Sequence, residues 1–150
     1  MTAQPTALPP FHLAIPVDDI AKAREFYGKV LGFSEGRSDT KWIDWNFGGH
    51  QVVTHQVGDG PSDTPRDGIA GTNPVDGHQV PVPHFGLVLP VPEFRELAER
   101  LTAVGTEFVI EPYVRFQGEP GEQWTMFFLD PAGNALEFKA FADISRLFAV

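Results

Sequence analysis

The sequence reads FHLAIPV at residues 11–17 and PHFGLVL at residues 83–89, two short apolar runs that each carry one histidine. Runs of this length and composition are typical of buried strands. Their recurrence indicates an internal repeat, which constrains the fold more strongly than any single element does. The chain is therefore expected to consist of two halves built on one plan.

A helical pattern follows each apolar run. Apolar residues recur at three-to-four spacing over residues 20–31 and again over residues 94–104, and a glycine ends each pattern. Three strands are predicted after each helix, at residues 33–37, 41–47 and 50–57 and at residues 106–116, 123–129 and 134–141. Each half therefore reads βαβββ, which predicts an α+β fold of two modules at residues 11–57 and 83–141.

Two segments lie outside the predicted modules. Residues 58–82 are rich in Gly, Pro and Asp, which favours a linker or long surface loop over packed structure. Residues 142–150 form a tail with apolar residues at helical spacing, which would cap the core or meet a second subunit. A chain of 150 residues buries roughly 68–70% of its unfolded surface, so residues 1–150 are expected to form a single domain.

Composition excludes several classes of protein. The chain has no cysteine, which excludes disulfides and cysteine-based zinc sites. Its net charge of −9 would repel phosphate backbones, so nucleic acid is not expected as a partner. No apolar run reaches the roughly 20 residues of a membrane helix, and residues 1–10 lack the pattern of a signal peptide, so we expect a cytoplasmic protein without a membrane partner.

Strand alternation predicts which side chains share a face. If Phe11 and the next two alternate residues pack under the first helix, His12 points to the opposite face. The same reasoning places His84 and Glu137 on the face away from the second helix, with Leu136 and its alternate neighbour in the core. Three strands would thus present two imidazoles and one carboxylate, each with a small residue two positions along.

Two imidazoles and a carboxylate can hold a divalent metal and leave coordination positions vacant. This is the facial triad of non-haem Fe(II) oxygenases. A single strand histidine is more often a hydrogen-bonded structural residue. The recurrence of histidine at matching places in both halves favours the metal-ligand interpretation of His12 and His84, although the spacing does not identify the metal.

Several stretches resemble the vicinal oxygen chelate superfamily, which contains glyoxalase I, bleomycin-resistance proteins and extradiol dioxygenases. They are FYGKVLGF at residues 26–33 and DPAGNALEF at residues 130–138. The stretches WIDWNF at residues 42–47 and VPVPHFG at residues 80–86 are similar to those of small predicted extradiol-type dioxygenases. The resemblance implies two paired βαβββ modules that curl a mixed sheet around a metal cavity.

The resemblance also implies a ligand set. Its pattern places metal ligands at His12, His84 and Glu137, the residues that strand alternation selects. Isomerases like glyoxalase I add a fourth ligand, commonly Glu, from the last strand of the first module. Here Val53 would occupy that position, and His55 lies two residues further along the same face, where it would bind the metal or act as a base.

The proton-transfer residues depart from the pattern of larger extradiol enzymes. Phe127 stands where those enzymes carry a tyrosine, and no histidine follows His84. Tyr113 or His55 would therefore take the catalytic role. Arg115, which shares a strand face with Tyr113, would bind a substrate carboxylate, with a strand-edge ion pair as the structural alternative.

Phe127 and Trp42 complete the predicted substrate-binding residues, because an aromatic wall suits a planar substrate. Ordinary core packing is the structural alternative for these aromatic residues. The predicted function is a metal-dependent enzyme, specifically a non-haem Fe(II) dioxygenase of the extradiol type. It would act with O2 on a small, oxygen-chelating substrate such as a phenol. Zn, Ni, Co and Mn are the alternative metals. The competing hypotheses are a glyoxalase I-like isomerase or lyase and a bleomycin-resistance-like binding protein. The resemblance and the apolar tail imply a homodimer.

Overall fold

The computed structural model describes residues 8–60 and 69–150. The chain divides into two compact units, Met1–Gly60 (the first unit) and Pro61–Val150 (the second unit). Each unit contains a four-stranded mixed sheet and one main helical segment, so the α+β class and the βαβββ plan of both halves are confirmed.

The first unit orders its sheet β1-β4-β3-β2, with β1 parallel to β4 and the other neighbours antiparallel. Its strands are β1 (His12–Val17), β2 (Ser34–Asp39), β3 (Trp42–Phe47) and β4 (His50–Gln56). Helix α1 (Ile20–Ala23) begins at Asp19, whose side chain accepts a hydrogen bond from the Ala21 N–H, and it packs on β4.

The first helix differs from the uniform α-helix that its spacing predicts. After α1 the backbone widens into a π-helix over Arg24–Val30. The wide turn lies against the Trp45 ring, where a Cβ on Gly28 would come within 3.3 Å of the indole. Glycine therefore permits this close approach, and the neighbouring Tyr27 is fully buried with its ring 5.9 Å from that of Trp45.

Phe11 does not join the core. Its side chain is 63% exposed, whereas Ile15 on the same predicted face is buried. The physical reason is that β1 begins at His12, so Phe11 precedes the part of the strand that the helix covers. The Phe11 backbone is nevertheless held, because its carbonyl accepts a hydrogen bond from the Gln51 N–H.

The second unit orders its main sheet β7-β10-β9-β8. The elements are β5 (Gly71–Val75), β6 (His78–Val82), β7 (Val88–Leu89), α2 (Val91–Ala103), β8 (Phe108–Arg115), β9 (Gln123–Leu129) and β10 (Ala135–Phe141). Strand β7 is shorter than residues 83–89 predict, since Pro83 has no N–H to donate and Phe85 forms only an isolated bridge with Leu136.

Strand alternation in β10 follows the prediction. Leu136 and Phe138 are fully buried beneath α2, which packs on β10. Glu137 and Lys139 lie on the opposite face, with their side chains 14% and 29% exposed. The sheet of the second unit thus has one helix-covered face and one face that carries ionisable groups.

The segment at residues 58–82 is not a loop throughout, so this prediction is wrong over its second half. Strands β5 and β6 form an antiparallel hairpin, and residues 61–68 lie outside the described chain. The turn is made by Asp76 and Gly77, both with positive φ, which is the two-residue turn that Asp-Gly favours. Val80 packs against Ile110 and Phe127 and is buried, which stabilises the hairpin on the second unit.

The tail contains a single 3-10 turn, Ile144–Arg146, which Asp143 caps by accepting from the Ser145 N–H. Phe148 beyond it is 91% exposed, so this side chain does not cap the core. No helix of the described chain is both long enough and apolar enough to span a bilayer.

Candidate metal centre

In each unit, the face of the sheet opposite the helix is called the open face. His84 and Glu137 meet on the open face of the second unit. Glu137 Oε2 lies 3.0 Å from His84 Nε2. The chain around Gly86 runs so close to β10 that a Cβ there would lie 1.6 Å from the Glu137 carbonyl oxygen. Backbone hydrogen bonds from Glu137 N to Phe85 O and from Lys139 N to Leu87 O hold the two segments together. A glycine two residues after His84 therefore permits the approach that joins the pair.

The His84 ring is oriented by its other nitrogen. Nδ1 lies 2.6 Å from the Pro81 carbonyl oxygen, which can only accept, so Nδ1 carries a proton and donates it. In the neutral ring Nε2 then holds a lone pair facing Glu137, as in a metal-binding histidine. Without a metal, the hydrogen bond to Glu137 raises the pKa of the His84 imidazole, an effect that burial partly opposes.

Thr125 and Lys139 surround the Glu137 carboxylate. The Thr125 hydroxyl donates to Glu137 Oε1 at 2.7 Å, and Lys139 Nζ lies 3.9 Å from the same oxygen. Burial is the largest influence on Glu137 and raises its pKa, but the hydrogen bonds from His84 and Thr125 and the Lys139 charge together outweigh it. The pKa of Glu137 is therefore lowered, and the carboxylate is ionised at neutral pH.

The donor pair fits a divalent metal. Two ligand atoms that each lie about 2.1 Å from one ion, at a right angle, are about 3.0 Å apart, which matches the His84 Nε2 to Glu137 Oε2 separation. Over residues 8–60 and 69–150, no three His, Cys, Asp or Glu side chains form a group that could hold a metal by themselves. The second unit thus supplies two donors, and His12 in the first unit stays the predicted third.

His12 has the same ring arrangement as His84. Its Nδ1 lies 2.7 Å from the Gln51 side-chain oxygen, so in the neutral ring Nε2 is left as the metal-binding atom. Parallel pairing places Gln51, Val53 and His55 of β4 beside His12 and its alternate neighbours. None of these three side chains is a carboxylate. Val53 pairs with Ala14, the residue that follows His12 on the same face of β1. His55 is exposed and pairs with Trp42.

The open face of the first unit also carries a cavity of about 340 Å³. Its polar lining comes from Arg37, Asp44, Asn46, His50 and Gln51. Asp44 is buried there and pairs with Arg37 at 3.4 Å, and the Arg37 guanidinium lies 5.8 Å from the Trp42 ring. Ile43, Trp45 and Phe47 are buried on the other face, as alternation predicts.

Tyr113 and Arg115 share the open face of the second unit with Glu137, because Tyr113 pairs with Thr125 across the sheet. Both contact Asp76 of the hairpin turn: Arg115 forms an ion pair with it, and the Tyr113 hydroxyl lies 3.5 Å from its carboxylate. Burial and then the Asp76 charge raise the pKa of the Tyr113 phenol. Tyr113 therefore stays protonated and able to donate at neutral pH.

Phe127 is buried between these groups. Its backbone pairs with Glu137 on the same face of the sheet, and its ring packs edge-on to the His84 imidazole at 5.1 Å. The ring that stands at the expected tyrosine position thus shields one side of the His84–Glu137 pair. Tyr113 presents a phenol from the neighbouring strand instead.

Three contributors were missed by sequence reasoning. Thr125 and Lys139 flank Glu137, and Asp76 holds Tyr113 and Arg115. The signal for Lys139 was present, since alternation puts it on the face of Glu137. To predict Thr125, one needs the register of β9 on β10. To predict Asp76, one needs the hairpin, which the Asp-Gly pair indicates.

Comparison with known proteins agrees with this architecture. Residues 10–138 match the model of the Glyoxalase/Bleomycin resistance protein/Dioxygenase superfamily. The chain belongs to this superfamily. It is the superfamily that the stretches at residues 26–33 and 130–138 resemble. None of the curated proteins compared matches the chain.

Solved structures of the superfamily resemble this one over nearly the whole chain. A glyoxalase/bleomycin resistance protein/dioxygenase of Alicyclobacillus acidocaldarius is 31% identical, with a TM-score of 0.70 and coverage of 93% of this chain and 96% of its own. The fosfomycin resistance protein FosX of Listeria monocytogenes is 21% identical (TM-score 0.63; 95% and 99% covered). Lactoylglutathione lyase of Agrobacterium tumefaciens is 19% identical (TM-score 0.60; 99% and 100% covered). The last two similarities concern the fold alone.

Proposed function

We propose that the protein is a metal-dependent enzyme, a non-haem Fe(II) dioxygenase of the extradiol type. Its substrates are O2 and a small molecule, such as a phenol, that chelates the metal through adjacent oxygens. The observation that carries the proposal is the His84–Glu137 pair, whose Nε2 and Oε2 atoms lie 3.0 Å apart, close enough for both to bind one ion once Nε2 has lost its proton. His12 is proposed as the third ligand, which completes a facial triad with vacant positions.

The lack of a carboxylate on the open face of β4 favours a dioxygenase over an isomerase. Gln51, Val53 and His55 occupy that face. With three protein ligands, a six-coordinate ion keeps room for a bidentate substrate and for O2. A glyoxalase I-like isomerase, which would use a fourth protein ligand, and a binding protein without turnover are the outcomes against which the proposal is tested.

The bound Fe(II) would supply Lewis acidity and a place for O2 beside the substrate. Tyr113 is proposed to donate a proton to the substrate, since its phenol is protonated and lies on the face of Glu137. His55, exposed beside Trp42, is proposed as a second proton carrier. Phe127 and Trp42 would exclude water from a planar ring, and Arg115 would contact a polar substituent. A homodimer that meets through the apolar tail is proposed as the assembly.

Anaerobic reconstitution with Fe(II), followed by oxygen-uptake measurement over a panel of catechols, tests this function. We expect oxygen consumption with at least one catechol. Consumption with none would overturn the dioxygenase proposal. Oxygen-independent turnover supported by Zn, Ni or Co would establish the isomerase, and tight ligand binding without turnover the binding protein.

The ligand assignment has a separate test. His84→Ala should abolish Fe(II) uptake and leave the circular dichroism spectrum unchanged, because the side chain lies on the open face. His78→Ala is the matched control, since His78 packs on Tyr113 and is not among the groups that influence the pKa of Glu137. Equal metal stoichiometry in the two variants would exclude His84 as a ligand.

A further inference from the structure

The open face of the second unit extends beyond the His84–Glu137 pair. Cross-strand pairing places Lys139, Thr125 and Tyr113 in one row, and Phe141, Gln123 and Arg115 in the next. Pairs directly opposite each other share a face of the sheet. The His84–Glu137 pair is therefore bordered by side chains that carry cations, hydroxyls and an amide.

Lys139 is a half-buried cation with spare hydrogen-bonding capacity. Its side chain is 29% exposed, and its ammonium lies 5.7 Å from the Phe141 ring centre. Glu137 Oε1, 3.9 Å away, already accepts from Thr125, and Oε2 faces His84. An ammonium has three donors and is costly to desolvate without a partner. A metal bound to Glu137 would draw on the same carboxylate and leave Lys139 less compensated.

Gln123 provides an independent sign of a ligand. The residue is 9% exposed, and no described residue forms a hydrogen bond with its buried Oε1. Its Nε2 reaches the Gly121 carbonyl at 3.5 Å. A buried acceptor without a donor costs about 1–3 kcal/mol, so it calls for an explanation. Gln123 and Lys139 are diagonal neighbours on adjacent strands, which places them about 7–8 Å apart on one face.

We propose that Lys139 and Gln123 form a subsite beside the His84–Glu137 pair for a substrate that carries a carboxylate as well as chelating hydroxyls. Lys139 receives the carboxylate, and Gln123 Oε1 accepts a hydrogen bond from a further hydroxyl group beside that carboxylate, because Gln123 lies beyond Lys139 from the metal ligands. The inference rests on the proposed function for the chelating part of the substrate. It narrows the substrate class to anionic oxygen chelators, despite the acidity of the whole chain.

The test compares two probes of nearly equal shape, 3,4-dihydroxybenzoate and the neutral 3,4-dihydroxybenzamide. Calorimetric titration of the Zn(II)-loaded and the metal-free protein measures binding without turnover. We expect the benzoate to bind the wild type about tenfold more tightly than the amide, because a charge-assisted hydrogen bond is lost with the amide. In Lys139→Met the two affinities should agree within about twofold, and in the exposed Lys22→Met the tenfold preference should remain.

Gln123→Leu separates a ligand-binding role from a structural one. Removal of an unpaired buried amide should leave the midpoint of urea unfolding unchanged or raised. The affinity for 3,4-dihydroxymandelate, which carries a third hydroxyl beside its carboxylate, should fall about threefold to tenfold, while the affinity for the benzoate should not change. Equal affinities for both probes in the wild type, a preference unchanged by Lys139→Met, or no binding of either probe would overturn the subsite.

Oxygen uptake with both probes distinguishes the two proposals. A benzoate preference without oxygen consumption on any catechol would support the subsite and overturn the dioxygenase function. Oxygen consumption with catechols and no benzoate preference would support the dioxygenase function and overturn the subsite.

Discussion

Thr125 contributes one hydroxyl to the candidate centre, and valine has nearly its shape. The hydroxyl donates to Glu137 Oε1 from a buried position, so it both orients the carboxylate and favours its ionised form. Groups that orient metal ligands in this way are typically worth 10–100-fold in metal affinity. We expect Thr125→Val to weaken Fe(II) binding by about tenfold in competition with a chelator. Thr102→Val, which removes a hydroxyl that bonds within α2, should leave the affinity unchanged.

The ionisation of Tyr113 is controlled from the hairpin turn. Burial and the negative charge of Asp76 both disfavour the phenolate, and the Tyr113 hydroxyl also contacts the Asp76 carboxylate. Asp76→Asn removes that charge and leaves Arg115 uncompensated beside the phenol. Both changes favour the phenolate, so the pKa of Tyr113 should fall.

Ultraviolet absorbance titration measures this pKa, and Tyr113→Phe isolates the signal from that of Tyr27, the other tyrosine of the chain. A Tyr113 pKa that rises or stays the same in Asp76→Asn would show that the turn does not control the phenol.

Strand β7 depends on the glycine that precedes it, Gly86, because a side chain at that position would keep the segment away from β10. A Cβ on Gly86 would stand 1.6 Å from the Glu137 carbonyl oxygen, which is backbone and cannot rotate away. Gly86→Ala must therefore separate the β7 segment from β10 and break the hydrogen bonds from Glu137 and Lys139. We expect a loss of at least about 3 kcal/mol in the free energy of unfolding by urea, together with weakened metal binding.

The control for this variant is Gly71→Ala on β5, where an added Cβ meets no atom within 4 Å. It should change the free energy of unfolding by less than about 0.5 kcal/mol. If both alanine variants are equally stable, the close contact at Gly86 does not hold β7 in place.

Elements were predictable where a local pattern and the tertiary contacts agree. Periodicity located α2, and alternation placed Glu137 on the open face and Leu136 in the core. The hairpin was missed because its Gly, Pro and Asp content suggests a loop, although it packs Val80 into the second unit. Thr125 was missed for a different reason, since a cross-strand partner is fixed by the register between two strands, and the pattern of one strand alone does not give that register.

At the scale of the whole molecule, both halves orient a histidine in the same way but with different partners. His12 and His84 each donate from Nδ1 to an oxygen, a side-chain amide in one unit and a backbone carbonyl in the other. The oxygen that orients each ring comes from a different place in the chain, so neither could be inferred from the repeated apolar runs. What the repeat predicts is the position of each imidazole on its strand.

The apolar tail provides the last prediction, which concerns assembly. Ile144 and Phe148 are 61% and 91% exposed, and Ile144 borders an apolar groove of about 360 Å³ that also includes Leu89 and Phe141. Exposed apolar side chains beside an apolar groove favour association with a second copy. We expect the wild type to sediment as a dimer and the double variant Ile144→Asp, Phe148→Asp as a folded monomer. Val104→Asp, at an apolar position 57% exposed at the end of α2, should remain dimeric. A monomeric wild type, or a double variant that stays dimeric, would refute this role of the tail.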